Sequence, residues 1–358
     1  MTLAAPAPTI DDGITLRNLL PFAASAIEQA EKVMRRIAPA ARLSLHGVDV
    51  SLYSQDPGYV ALASERLWQN GNETGRREAC RILVTSTGVD GLMTPPQWGP
   101  EEFHSRRFEK ALEGSPFRAE FDHDRKSWHI FDLSRNIGLL WMQSAQAFAP
   151  WEPGSPLRVF LHWFYSARGM RLTHAGTLGR NGKGALLIGR GGSGKSGTVV
   201  DGMMHGLQSV GDDYVLLEPT DGFPTARPVF RTLKQNADGL RRLGLLETIG
   251  VGRKENWQGK YEFFSEDLGV RMTPSLSIRA LLVPHVAGTQ HTGVTSISQA
   301  KAMLALAPSG LFQMPGERDS GVARFAALVR SLPCFGLALG SQSGDASRVI
   351  GDFLDALP

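Results

Sequence analysis

The chain has 358 residues, 42% of them hydrophobic and 20% charged, with a formal net charge of +3. This is an ordinary globular balance, long enough for two cores, and the small net charge gives no electrostatic case for nucleic acid or a membrane surface. Cys80 and Cys334 lack metal-ligand spacing and are expected as reduced thiols; with no long apolar run or leader-like N-terminus, the expected compartment is the cytoplasm.

Residues 1–12 are rich in Ala and Pro, which predicts a loose tail. Phe22, Ile27, Ala30, Val33, Met34 and Ile37 recur at helical spacing, and residues 41–53 alternate as a strand does. A helix over 59–70, a mixed segment over 77–85 and a Pro/Gly-rich loop over 88–100 follow. Phe117–Asp122, Trp128–Leu133 and Ile137–Trp141 read as three short strands of an antiparallel meander. The prolines of 150–156 break the chain, so we place a domain boundary near residue 150. This gives a smaller α+β domain over 1–150 and a second domain over 151–358. An amphipathic helix over 157–168, with Leu157, Phe160, Leu161, Phe164 and Tyr165 on one face, opens the second domain.

From there strands and helices alternate. Strands are predicted at 185–188, 207–210, 214–217, 281–283 and 335–339, and helices at 196–205, 321–331 and 346–357. The pattern argues for an α/β core that includes some antiparallel strands.

Between the strand at 185–188 and the helix at 196–205 runs Gly189-Arg-Gly-Gly-Ser-Gly-Lys195-Ser196, which matches G-x-x-x-x-G-K-[ST] at every fixed position. Gly189, Gly191, Gly192 and Gly194 are expected at φ values closed to other residues, so that successive N–H groups converge on an anion. Ser193 and Gly197 belong to the same cradle. Lys195 can reach the β- and γ-phosphates, the Ser196 hydroxyl can ligate Mg²⁺, and the helix directs its positive end at the same charge. The pattern predicts a nucleoside triphosphate site. Two further features lie nearby. Asp212-Asp213 follows the loop helix at an apparent strand end, where paired carboxylates can hold a metal or accept a proton. His174, in Leu172-Thr-His174-Ala-Gly176, falls one strand ahead of the loop.

His174-Ala-Gly176, then 184–196, then Val210-Gly-Asp212-Asp213-Tyr-Val215 resembles the catalytic half of bacterial HPr kinase/phosphorylase and its HPr-kinase-like relatives. The likeness covers residues 155–220 and continues more weakly to residue 340. It implies a P-loop core of mixed sheet flanked by helices, similar to HPr kinase and phosphoenolpyruvate carboxykinase. It also implies an ATP- and Mg²⁺-dependent serine kinase, with a His at the position of His174 beside the site. By the same resemblance Asp212 is the general base, and Asp213 with Ser196 the metal contributor, the two aspartate roles being interchangeable. The Gly-rich segment found downstream in true HPr kinases has no counterpart. The basic stretch 252–260 stands in its place and looks like a mobile loop over the site, so phosphorolysis and HPr itself are not implied. Arg253, Lys254 and Lys260 of that stretch are candidates for contacts to phosphate or acceptor; Arg279, ahead of an apolar strand, carries no assignment.

Some relatives of this kind phosphorylate a serine of a ribosomally made peptide such as a lasso-peptide precursor, which turns the expected acceptor toward a dedicated protein or peptide. The competing readings are a small-molecule or carboxykinase-like phosphotransferase on the same fold and a nucleotide-binding regulator without transfer chemistry. HPr kinases form hexamers, so a homo-oligomer is in prospect, though no interface is legible.

Overall fold

The computed structural model describes residues 16–70, 77–87, 105–144, 148–311, 314–315, 320–342 and 344–357. The tail expected over 1–12 and the loop over 88–100 lie outside them. Two compact units divide the chain, residues 1–167 and 168–358.

The first unit contains α1 (Leu19–Met34), β1 (Ala41–Leu45), β2 (Val48–Ser54), α2 (Pro57–Arg66), β3 (Glu78–Ser86), α3 (Ser105–Ala111), β4 (Phe117–Asp122), β5 (Ser127–Asp132), β6 (Ile137–Met142) and α4 (Arg158–Ser166). Its sheet runs β1-β2-β3-β6-β5-β4, with β2, β3 and β6 parallel and the outer pairs antiparallel. The meander over 117–142 is present. The segment 41–53 forms two strands rather than one, because Gly47 turns the chain at φ +66°. Central β3 buries Ile82, Leu83 and Val84 in succession, the continuous apolar run of a parallel strand covered on both faces. Helix α1 lays Ala23, Ile27, Ala30 and Met34 on the sheet, with Phe22 against Trp128 at 4.9 Å. Each large side chain buried this way contributes roughly 1.5–3 kcal/mol.

Helix α4 belongs to this unit, so the division falls after Ala167 instead of near residue 150. Its Phe160 packs against the Phe131 ring and over Gly138, where a β-carbon would lie 2.9 Å from the Phe160 ring. That close fit to β5 and β6 ties the helix to the first core.

The second unit contains β7 (Arg171–His174), β8 (Gly176–Arg180), β9 (Lys183–Leu187), α5 (Lys195–Met204), β10 (Tyr214–Glu218), β11 (Thr225–Pro228), β12 (Thr232–Asn236), α6 (Ala237–Arg242), α7 (Leu246–Ile249), β13 (Lys260–Phe264), β14 (Leu276–Val286), β15 (Gly293–Ser296), α8 (Gln299–Leu311), α9 (Ser320–Ser331), β16 (Cys334–Leu339) and α10 (Asp345–Ala356). An eight-stranded mixed sheet follows the order β15-β16-β14-β11-β10-β7, and β9 joins it beside β14 with β8 on its far side. Strands β9, β14 and β16 are parallel, whereas β7, β10 and β11 are antiparallel neighbours. The β8–β9 hairpin closes through Asn181-Gly182, both at positive φ, the two-residue turn whose twist matches its strands. Helices α8 and α9 place Ala302, Leu306, Phe325 and Val329 in one apolar cluster with Leu186, Ile188 and Leu281. A separate two-stranded antiparallel sheet, β12–β13, pairs Lys234 with Glu262 and Asn236 with Lys260.

The predicted strand over 207–210 is reduced to one bridge between Gln208 and Gly179. Among the described residues, no helix is long and apolar enough to cross a membrane.

Candidate functional site

The glycine loop joins the end of β9 to the start of α5, as its pattern predicts. Gly189, Gly192 and Gly194 have positive φ, but Gly191 does not. Gly194 is the demanding position. It caps α5 at φ +101°, and a β-carbon there would collide with Leu339 Cδ1 of β16. No side chain caps the first turn of α5, so its leading N–H groups face the loop. The Ser193 hydroxyl is enclosed without a hydrogen-bond partner among the described residues. Lys195 is buried and donates to the carbonyls of Gly189 and, at 3.2 Å, Arg190. Burial pulls its ammonium down to about 8, against the opposing pull of Asp213 and Asp212, so both aspartates act on it electrostatically. Ser196 is half-buried, and Gly197 leaves room for Gln235 of β12, whose amide nitrogen would lie 3.0 Å from a β-carbon.

Asp212 and Asp213 stand immediately before β10, not at the end of a preceding strand. The turn that carries them is held by backbone bonds: Ala175 N–H donates to Asp213 O at 3.0 Å and Thr177 N–H to Gly211 O at 2.9 Å. The buried Thr177 and Ser209 hydroxyls satisfy the N–H groups of Val210 and Gly211. His174 closes β7 and lies opposite Tyr214 in the β7–β10 register. Two strands, β8 and β9, therefore separate it from the loop in sequence, and sheet pairing alone returns it to the aspartates.

The two carboxyls are in contrasting environments. Asp213 Oδ1 receives His174 Nε2 at 3.0 Å, and its Oδ2 receives Lys234 Nζ at 2.7 Å. Burial opposes its ionisation, but Lys234 and His174 outweigh that and hold it well below the usual carboxylate range. Asp212 Oδ2 accepts the Lys234 backbone N–H at 3.2 Å, while its buried Oδ1 has no partner among the described residues. Burial, reinforced by the neighbouring Asp213 charge, pushes Asp212 up to about 7. One member of the pair is thus a fixed anion and the other is poised near neutrality. Burial lowers His174, partly opposed by Asp213, so its neutral form places a proton on Nε2 facing the carboxylate.

Lys260, at the start of β13, acts electrostatically on both Lys195 and Asp212. It therefore lies near both side chains, at the start of a strand and not within a loop. Arg253 is occupied elsewhere, donating to Ile249 O at 3.1 Å and pairing with Asp267 at 2.9 Å. Lys254 is exposed, and Arg279 stacks over the Phe223 ring at 4.1 Å. Sequence reasoning missed Lys234 altogether. A lysine within Thr-Leu-Lys-Gln-Asn carries no local mark of function, and only the packing of strand β12 brings it to the aspartates.

The residues fit a nucleoside triphosphate: a positive-φ glycine cradle, an uncapped helix start, an enclosed Ser193 hydroxyl and a buried lysine all lie within residues 189–195. For Mg²⁺ the fit is narrower. Ser196 suits it, but both oxygens of Asp213 are already engaged. Among the described residues, no three His, Cys, Asp or Glu side chains gather as a metal site. A magnesium ion bound with phosphates needs only one or two protein ligands, so Ser196 is compatible with that mode. No family model matches the chain, and no curated protein matches its sequence.

Proposed function

We propose that this chain is an ATP-dependent kinase that transfers the γ-phosphoryl group to a serine hydroxyl of a protein or peptide, on a P-loop core similar to that of HPr kinase. The observation that carries this reading is the unequal aspartate pair. Asp212 has an unpartnered buried oxygen and sits close to neutrality, beside an ionised Asp213 and within electrostatic reach of Lys195. A general base is most effective when its pKa lies near the working pH. Such a group suits proton transfer better than nucleotide binding alone.

In this mechanism the glycine loop, the start of α5 and Lys195 hold the triphosphate. Ser196 would hold Mg²⁺ together with the phosphates, and the ion would supply charge neutralisation for the transfer. Asp212 Oδ1 accepts the proton of the acceptor serine as its oxygen bonds to the γ-phosphorus. The bond from that phosphorus to the β–γ bridging oxygen breaks, and ADP leaves with the electron pair. Lys260 adds positive charge where negative charge develops. Asp213 takes no proton. It anchors Lys234 and His174, a role different from the metal contact implied by the resemblance.

The test is incubation of the chain with radiolabelled ATP and extract from its native source, followed by phosphoamino-acid analysis. Phosphoserine is expected with the wild type and not with Lys195→Ala or Asp212→Asn. Equal labelling by all three proteins overturns the assignment.

A further inference from the structure

We propose that a cavity of about 640 Å³ in the first unit is a second binding site, taking a small organic ammonium with an aromatic or aliphatic body. It lies at the carboxyl ends of three adjacent parallel strands, where Ser54 ends β2, Val84–Ser86 end β3 and Met142 ends β6. Parallel strands open their crevices at that end, and the volume falls within the small-molecule range of roughly 300–1,000 Å³. The inference does not depend on the nucleotide site.

One wall is apolar and already set. The Tyr59 ring stacks on Phe148 with centroids 4.7 Å apart and planes at 10°. The Tyr59 hydroxyl donates to Glu152 Oε1 at 2.6 Å, and the same oxygen accepts the Leu157 N–H at 2.8 Å. Tyr59 and Glu152 are both buried, so little ordering remains to be done when a flat or aliphatic body arrives.

The polar groups choose the rest of the ligand. Thr85 is 4% exposed, and its hydroxyl has no hydrogen-bond partner among the described residues. A buried hydroxyl left unpaired is costly, and Thr85 lines the cavity. Among the described residues, the lining also contains Asp56 and Glu152 but no Lys, Arg or His. Arg158 acts on Glu152 electrostatically, which leaves Asp56 as the lining carboxylate with no cation beside it among the described lining residues. Asp56 Oδ1 caps α2 by accepting the N–H groups of Gly58 and Tyr59 at 2.8 and 3.2 Å, so the carboxylate is fixed in place. An ammonium can donate to the hydroxyl and neutralise the carboxylate. A phosphate or carboxylate ligand would meet like charge.

The experiment titrates the full-length chain with phenethylamine, 2-phenylethanol and 3-phenylpropanoate, which share a body and differ in charge, followed by saturation-transfer NMR. Phenethylamine should bind roughly tenfold tighter than the acid, and Thr85→Val should weaken it roughly threefold or more. Ser86→Trp, which fills the cavity from its wall, should abolish binding while leaving the circular dichroism spectrum unchanged. Phe-Ala amide and its N-acetylated form separate two sources of such an ammonium: binding of the free dipeptide marks a peptide terminus, and binding of phenethylamine alone a small amine. Failure of phenethylamine to bind, equal affinity for the acid, or undiminished binding by a folded Ser86→Trp chain overturns the proposal.

Discussion

Lys234 contacts both members of the aspartate pair by different atoms: its Nζ lies 2.7 Å from Asp213 Oδ2, and its backbone N–H donates to Asp212 Oδ2 at 3.2 Å. The side chain fixes one carboxylate as an anion, and the backbone orients the other without fully charging it. Lys234 therefore acts as a positioning residue for the general base in the proposed reaction.

Lys234→Met should destabilise the fold by about 2 kcal/mol, because Asp213 keeps His174 but loses its nearest cation in a largely buried setting. It should also raise the pKa of Asp212 further, since a positive neighbour that favoured its ionised form is gone. In a pH–rate profile the acidic limb should shift to higher pH, whereas Lys234→Arg should restore most of it. Urea denaturation and that profile check the two effects separately.

Asp212→Asn should leave nucleotide affinity nearly intact and reduce transfer by roughly a hundredfold or more. Its effect on stability has a definite sign. The folded carboxyl titrates at about 7 and the unfolded one at 3.8, so the native state holds the extra proton between those values. Stability from this group therefore falls as pH rises through that window. The neutral asparagine escapes the loss, so the variant should gain on the wild type from pH 4 to pH 8, by up to about 4 kcal/mol. Thermal melts across that range give the comparison, and a constant difference would mean that Asp212 titrates normally.

Lys195→Ala should weaken binding of a fluorescent ATP analogue by roughly tenfold or more and abolish transfer, because it removes a charge-assisted contact to the phosphates. The protein should still fold, since the alanine leaves no charge behind. Binding at wild-type strength would place the nucleotide elsewhere.

Two glycines of one loop should respond differently. Gly194→Ala forces a β-carbon into φ +101° and into Leu339, so a stability loss of about 1–3 kcal/mol is expected, along with loss of nucleotide binding. Gly191 has an ordinary φ and open space around it, and Gly191→Ala should bind nucleotide nearly as the wild type does. Equal damage at both positions would contradict the loop geometry.

The glycine loop, the Asp-Asp pair and the meander over 117–142 were legible in the sequence because each depends on neighbours in the chain. Turn-forming residues, a lysine beside its cradle and alternating apolar positions act over a few residues. Where segments are separated along the chain, the reading failed. The helix over 158–166 was assigned to the wrong core because its amphipathic face does not say which sheet Phe160 will meet. The boundary near residue 150 followed the prolines, which mark a break in the chain and not a division between cores.

By itself, the sequence marked a glycine loop of phosphate-binding pattern and two carboxylates after it. Only the tertiary structure set the two carboxylates in different environments. A pKa depends on burial and on charges within a few ångströms, and those come from β7, β10 and the β12–β13 pair through pairing that no local pattern records. Lys234 lies 21 positions from Asp213 in the chain and 2.7 Å from it in space. That separation is why Asp212 and Asp213 read as interchangeable in the sequence and are chemically distinct in the fold.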